Sequence, residues 1–191
     1  MLTGKVTQER LSKEEIQAIS SHLKSNVPQL RPLLDKTSVT FEDMQRMVAS
    51  CKVIELRRVS TPDMVLSRSP ANEDTLFRRG KLANACCLVL SGRVAVLAGK
   101  DEFYSELGPW SLVGSDAVKL PDGTYLPDFT AYIVSDSVRC LWITKSDVTD
   151  LLECGTGGAV PKRKLKPRSG STDGEPVEAK PGTDKVCGGN T

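Results

Sequence analysis

Thr75-Leu76-Phe77-Arg78-Arg79-Gly80, then Cys87-Leu88-Val89-Leu90-Ser91-Gly92-Arg93-Val94-Ala95-Val96, then Leu107-Gly108-Pro109-Trp110-Ser111-Leu112-Val113-Gly114 are the stretches that decide the fold. They are short β-rich runs interrupted by glycine at close spacing, and glycine accepts the backbone angles of a reversal that a β-carbon would obstruct. The pattern predicts strands near 75–77, 85–90, 92–98, 103–107, 129–134 and 138–143. Leu90-Ser91-Gly92-Arg93 and Ala98-Gly99-Lys100-Asp101 read as tight turns between consecutive strands. Parallel strands would need helical crossovers, which this spacing does not suit, so the expectation is an antiparallel β-roll or jelly roll.

Upstream, Ser12-Lys13-Glu14-Glu15 has the form of a capping box, in which the serine hydroxyl and the glutamate carboxylate satisfy amides at a helix start. Ile16, Ile19, Leu23 and Val27 follow as one apolar face until Pro28 and Pro32 interrupt it. Thr40 with Asp43 repeats the start signal, and Phe41, Met44, Met47, Val48 and Cys51 make the stripe of a second helix. From Lys52 the period changes to that of a strand over 52–59, with Arg57-Arg58 as one solvated and one rim residue. Ser60 to Asp74, with Pro62 and Pro70, reads as an irregular connection. Thr144 with Asp147 caps a last helix over 145–152, whose Val148, Leu151 and Leu152 fold back on the roll. The fold class expected is therefore α+β: a β-roll with N-terminal helices and a short C-terminal one.

The chain has 191 residues and a net charge of +2 at a sequence pI near 8.2. That balance lacks the strong basic excess of a nucleic-acid binder, so no nucleic-acid partner is expected. The longest apolar runs, such as 86–90, fall far short of the roughly 18 to 20 residues that cross a bilayer, and the start lacks the apolar run of a secretory signal. The reading is a soluble, cytoplasmic chain. None of Cys51, Cys86, Cys87, Cys140, Cys154 and Cys187 forms a C-x-x-C pair, which argues for reduced cysteines used as small apolar residues. Adjacent Cys86 and Cys87 should point to opposite faces of a strand. His22 is the only histidine, so no metal site or other cofactor is expected.

After Glu153 the composition changes. Residues 154–191 contain no aromatic residue, four prolines and eight glycines, too little apolar surface to offset chain entropy. They hold seven basic and four acidic residues, which leaves 19 and 20 in residues 1–153, so the positive balance belongs to the tail. The division expected is a flexible 1–7, a folded 8–153 and a disordered, basic 154–191. Lys162-Arg163-Lys164-Leu165-Lys166-Pro167-Arg168 is a candidate contact for an anionic membrane, at roughly 1 kcal/mol per basic residue near the surface, against the plainer reading of a solvated run.

Helix, helix, β-roll and a Gly-aromatic segment, in that order, resemble the cyclic-nucleotide-binding fold. Residues 75–80, 88–96, Ala98-Gly99-Lys100 and Gly108-Pro109-Trp110-Ser111-Leu112-Val113-Gly114 are more closely similar to the cyclin M (CNNM) magnesium-transport mediators. That family's cytosolic homology domain carries a Leu-Tyr-x-Arg strand, a Leu-x-Gly-(Lys/Arg)-Val-x-Val strand running into x-Gly-Lys-Glu, and a Gly-Ala-Phe-x-x-x-Gly turn. The resemblance implies a homodimeric regulatory domain on the cytosolic face of a membrane, within a longer protein whose membrane domain and CBS modules precede it. Family members insert a long loop after the Gly-aromatic turn, whereas here residues 119–128 are short, centred on Pro121-Asp122-Gly123.

A cyclic phosphate in such a roll needs amides at a helix start plus a cation, and the ribose needs a carboxylate. True binders resemble one another in Gly-Glu-x-Ala-Leu followed by Arg-x-Ala. This chain reads Gly114-Ser115-Asp116-Ala117-Val118 and Phe129-Thr130-Ala131, so Ser115 replaces the glutamate and Phe129 the arginine. Losing the arginine removes charge-assisted bonds of about 1.5–3 kcal/mol. Gly114, Ser115, Asp116, Ala117, Phe129 and Ala131 are therefore expected to form a degenerate pocket, with 114–118 a turn that only closes the roll. Asp116 and Lys119 are the residues a displaced pocket would use.

No Ser-His-Asp set can be built on His22, and Gly155-Thr156-Gly157-Gly158 lacks the Lys and Ser/Thr of a phosphate loop, so no enzyme is expected. The expected function is a non-catalytic regulatory and dimerisation domain of a CNNM-like metal-transport mediator that does not bind cyclic nucleotide. The alternative is a genuine cAMP or cGMP sensor.

Overall fold

The computed structural model describes residues 10–28, 30–31, 39–61, 63, 71–121 and 123–155. The expectations for residues 1–7, for Lys162–Arg168 and for the tail beyond Gly155 lie outside the described residues. Three capping boxes start three helices. Glu15 N–H donates to Ser12 Oγ at 3.2 Å while Ser12 N–H donates to Glu15 Oε2 at 2.8 Å, opening α1 (Lys13–Ser25). Thr40 and Asp43 exchange the same bonds before α2 (Phe41–Ser50), as do Thr144 and Asp147 before α4 (Lys145–Gly155). Helix α1 ends earlier than its apolar stripe suggests, with the Asn26 amide on the His22 carbonyl, because Val27 precedes Pro28 and that position resists helical angles. Val27 is buried all the same.

Eight strands follow: β1 (Lys52–Arg57), β2 (Thr75–Phe77), β3 (Ala85–Ser91), β4 (Val94–Ala98), β5 (Phe103–Leu107), β6 (Leu112–Val113), β7 (Phe129–Ile133) and β8 (Ser137–Thr144). Beside six strand assignments close to those from the sequence, β1 stops at Arg57 rather than running to residue 59, and β6 is an addition. Its two residues carry too little pattern to be seen locally. The strands form two antiparallel four-stranded sheets, ordered β1-β8-β3-β6 and β2-β7-β4-β5. With the one-turn helix α3 (Asp116–Lys119) between β6 and β7, the architecture is the α+β roll expected.

The first sheet is covered on both faces, and its sequence shows why. On one side Val53, Cys86, Leu88, Leu141 and Ile143 pack under Ile19, Leu23, Met44, Val48 and Val148 of α1, α2 and α4. On the other, Ile54, Leu56, Cys87, Val89, Val138 and Cys140 meet Leu76, Phe77, Val94, Ala131 and Ile133 of the second sheet. A strand buried on both faces must be apolar at successive positions, which is the run Cys86-Cys87-Leu88-Val89. Cys86 faces the helices and Cys87 the inter-sheet core, on opposite faces as the strand period requires.

The connections carry their own constraints. Gly92, at φ +84°, turns β3 into β4 where an added β-carbon would lie 2.3 Å from the Ser137 carbonyl oxygen. Only glycine fits there. Asp74 is fully buried at the end of the 60–74 connection, and its carboxylate accepts the Val59 and Ser60 amides, each at 2.7 Å. A buried carboxylate held by two amides anchors the end of β1 to the start of β2. Arg58, half-buried, donates to the Val134 carbonyl at 2.8 Å and to exposed Asp136 at 2.9 Å, while Arg57 is solvated. Half-buried His22 donates from Nε2 to the Trp110 carbonyl at 2.9 Å, which ties α1 to the β5–β6 connection.

Candidate functional site

Strand β6 pairs with β3 through Val113 and Cys87, and then delivers Gly114 at φ +75° to the start of α3. The Ala117 and Val118 amides donate to the Gly114 and Ser115 carbonyls at 3.0 and 3.3 Å. Residues 114–118 are therefore more than a closing turn. They wind into a short helix that buries Ala117 and Val118 and leaves Asp116 exposed in an ion pair with Lys119.

A cleft of about 420 Å³ lies beside this helix, between Gly114, Ser115 and Asp116 on one side and Tyr125, Asp128 and Phe129 on the other. Four of the six residues expected at a degenerate pocket line it: Gly114, Ser115, Asp116 and Phe129. Ala117 is buried away from it, and Ala131 packs between the two sheets, so neither belongs to the lining. Lys119 does not line it either; its ammonium is engaged by Asp116.

The cleft's own ionisable groups are acidic. Tyr125 is buried, and its phenol is pushed up to about 12, first by burial and then by the Asp116 and Asp128 carboxylates. Two carboxylates, and no cation in the lining among the described residues, make this an unfavourable setting for a phosphate. Arg79 is held nearby by other bonds: its Nε donates to the Asp128 carbonyl at 3.0 Å, and its guanidinium also bonds the Gly99 carbonyl.

Behind Gly114 the roll is filled by rings. Phe77 stacks on Trp142 with centroids 5.5 Å apart at 16°, and meets Phe129 at 5.8 Å and 57°. A β-carbon on Gly114 would stand 2.9 Å from Phe77 Cε1. Phe129, expected from the sequence to stand in for a binder's arginine, belongs to a packed aromatic cluster. The sequence reading missed Phe77 and Trp142 as site neighbours, along with Tyr125 and Asp128. The only local signal for the ring cluster is an aromatic residue in each of β2, β7 and β8, and which rings meet is decided by strand pairing, while Tyr125 and Asp128 sit in the connection before β7 with no signal of their own. Among the described residues no group of three His, Cys, Asp or Glu could hold a metal ion.

Solved structures with a similar fold include the cyclic nucleotide-binding-like protein from Brucella abortus, at 18% identity, covering 71% of this chain and 98% of that one with a TM-score of 0.51. Another is the regulatory subunit of a cAMP-independent protein kinase A from Trypanosoma cruzi bound to guanosine, at 11% identity, covering 79% and 45% with a TM-score of 0.53. At these identities the likeness is one of fold. The family model described as metal transporter CNNM2-like, C-terminal CNBH domain, matches residues 4–151, which includes both sheets and the four described α-helices but for the end of α4. With the helices, the two-sheet roll and the Gly114 segment all inside that match, the chain belongs to the family of CNNM2-like C-terminal CNBH domains.

Proposed function

We propose that this chain is a non-catalytic cytosolic regulatory and dimerisation domain of a CNNM-like mediator of Mg²⁺ transport, and that it does not take cyclic nucleotide. The carrying observation is the Phe77–Phe129–Trp142 cluster packed against Gly114, with Ser115 and Phe129 at the two positions that would read a ligand. The acidic cleft supports the same reading, since a cyclic phosphate would meet Asp116 and Asp128 rather than a guanidinium. Self-association is supported by the edge strand β5, where Phe103 is 70% and Tyr104 42% exposed. Membrane association belongs, in this reading, to a longer parent protein; among the described residues no helix is long and apolar enough to cross a membrane.

Thermal unfolding of the purified chain with increasing cAMP or cGMP tests the ligand half. A ligand at 100 times its dissociation constant would add about 2.7 kcal/mol. No shift is expected; a saturable rise that persists when Arg78 and Lys81 are replaced by alanine would establish the sensor reading instead. Light scattering tests the assembly half, for which a mass of two chains is expected and a mass of one chain at tens of micromolar would count against it.

A further inference from the structure

A second cleft, of about 380 Å³, opens beside the β2–β3 connection, and its lining is opposite in charge to the first. Arg78 and Lys81 supply two cations, Asn72 and Asn84 two carboxamides, and no acidic residue lines it among the described residues. Its apolar wall includes half-buried Trp142, already stacked on Phe77, and Leu82, which is 64% exposed. None of these residues lines the Gly114 cleft.

The connection that carries the cations is fixed by backbone bonds. The Gly80 amide donates to the Pro127 carbonyl at 2.9 Å, Lys81 to Arg78 at 3.1 Å and Ala83 to Tyr125 at 3.1 Å. The Arg78 guanidinium is itself held by the Asn72 side-chain oxygen. An arginine fork restrained in this way loses less freedom on meeting an anion than a free side chain would. The volume falls within the roughly 300–1,000 Å³ of small-molecule sites.

We propose that this cleft binds a small molecule with a planar ring and a terminal phosphate monoester, of the class of nucleoside 5′-monophosphates, whose near-dianionic phosphate, unlike the singly charged diester of a cyclic nucleotide, engages both cations. Arg78 and Lys81 hold the phosphate, because a guanidinium and an ammonium, with no carboxylate in the lining among the described residues, attract it without a competing charge. The ring lies along Trp142 and Leu82, where flat apolar surface is available. The Asn72 and Asn84 carboxamides, each able to donate and accept, bond the ring edge or sugar hydroxyls.

The test is calorimetric titration of the whole chain with 5′-AMP, beside inorganic phosphate and vesicles carrying phosphoinositide. Saturable 5′-AMP binding is expected, weakened about tenfold or more by R78A and by K81A and unchanged by K100A, which removes an exposed charge elsewhere. All three positions are exposed, so the variants should fold as the parent does. Absence of saturable binding, equal weakening by K100A, inorganic phosphate binding as tightly as 5′-AMP, or vesicle binding without 5′-AMP binding would each overturn the proposal.

Discussion

The Phe77 ring lies 2.9 Å from where a β-carbon on Gly114 would sit, so β2 and the entry to α3 fit together through the absence of a side chain. Gly114 also stands at φ +75°, which an L-residue adopts at a cost of roughly 1–2 kcal/mol. G114A should therefore destabilise the chain by about 2–4 kcal/mol, strain and overpacking together. Urea unfolding would measure it, and the loss should shrink in an F77L background, where the ring that clashes is gone.

Restoring the ligand-reading residues without emptying the roll should restore nothing. The S115E/F129R double variant is expected to show no melting shift with cAMP, because the Phe77–Trp142 stack remains behind Gly114. A saturable shift would mean that those two side chains alone withhold the ligand.

Glu15 serves two partners, accepting the Ser12 amide at 2.8 Å and a hydrogen bond from Arg139. The Arg139 bond first, and the Ser12 amide second, hold its carboxyl below the ordinary value of 4.5. A group whose folded pKa is lowered stabilises above the unfolded value and loses that contribution as pH falls through the folded one. E15Q should cost at most about 1 kcal/mol at neutral pH, from the charge lost toward Arg139 and the Ser12 amide in a part-exposed, screened pair, because glutamine keeps an oxygen for the cap. The gap between parent and variant should close as pH falls below 4.5, the direction that unfolding curves at pH 7 and pH 3.5 would check.

Asp74 tests the buried anchor. Replacing it by Asn keeps the shape but turns an amide group toward one of the two backbone N–H donors it now accepts at 2.7 Å. D74N should lose about 1–3 kcal/mol, the cost of a buried donor left without an acceptor. An unchanged denaturation midpoint would refute that role.

Burial pushes the Cys86 thiol up to about 12, and Cys87 is raised by its hydrogen bond with Cys140 and by burial. Thiolates are the reactive form, so both should resist a thiol reagent at pH 8 in the folded chain and label fully in denaturant. Peptide mass spectrometry would resolve the sites.

The sequence alone determined what short-range physics fixes. Ser12-Glu15, Thr40-Asp43 and Thr144-Asp147 mark helix starts because each cap closes within one turn, and the apolar run in 94–98 together with glycine at 92 and 99 marks strands and reversals. Ser115 and Phe129 were legible as departures from a binder's pattern for the same reason: a motif is local. Only the tertiary structure decided that Phe129 meets Phe77 and Phe77 stacks on Trp142. It alone drew Asp116 and Asp128 to one cleft and Arg78 and Lys81 to another, and it removed Ala117 and Ala131 from the lining. Those relations join residues far apart in the chain, and they exist only once strand register has set which faces meet and which side chains share a cavity.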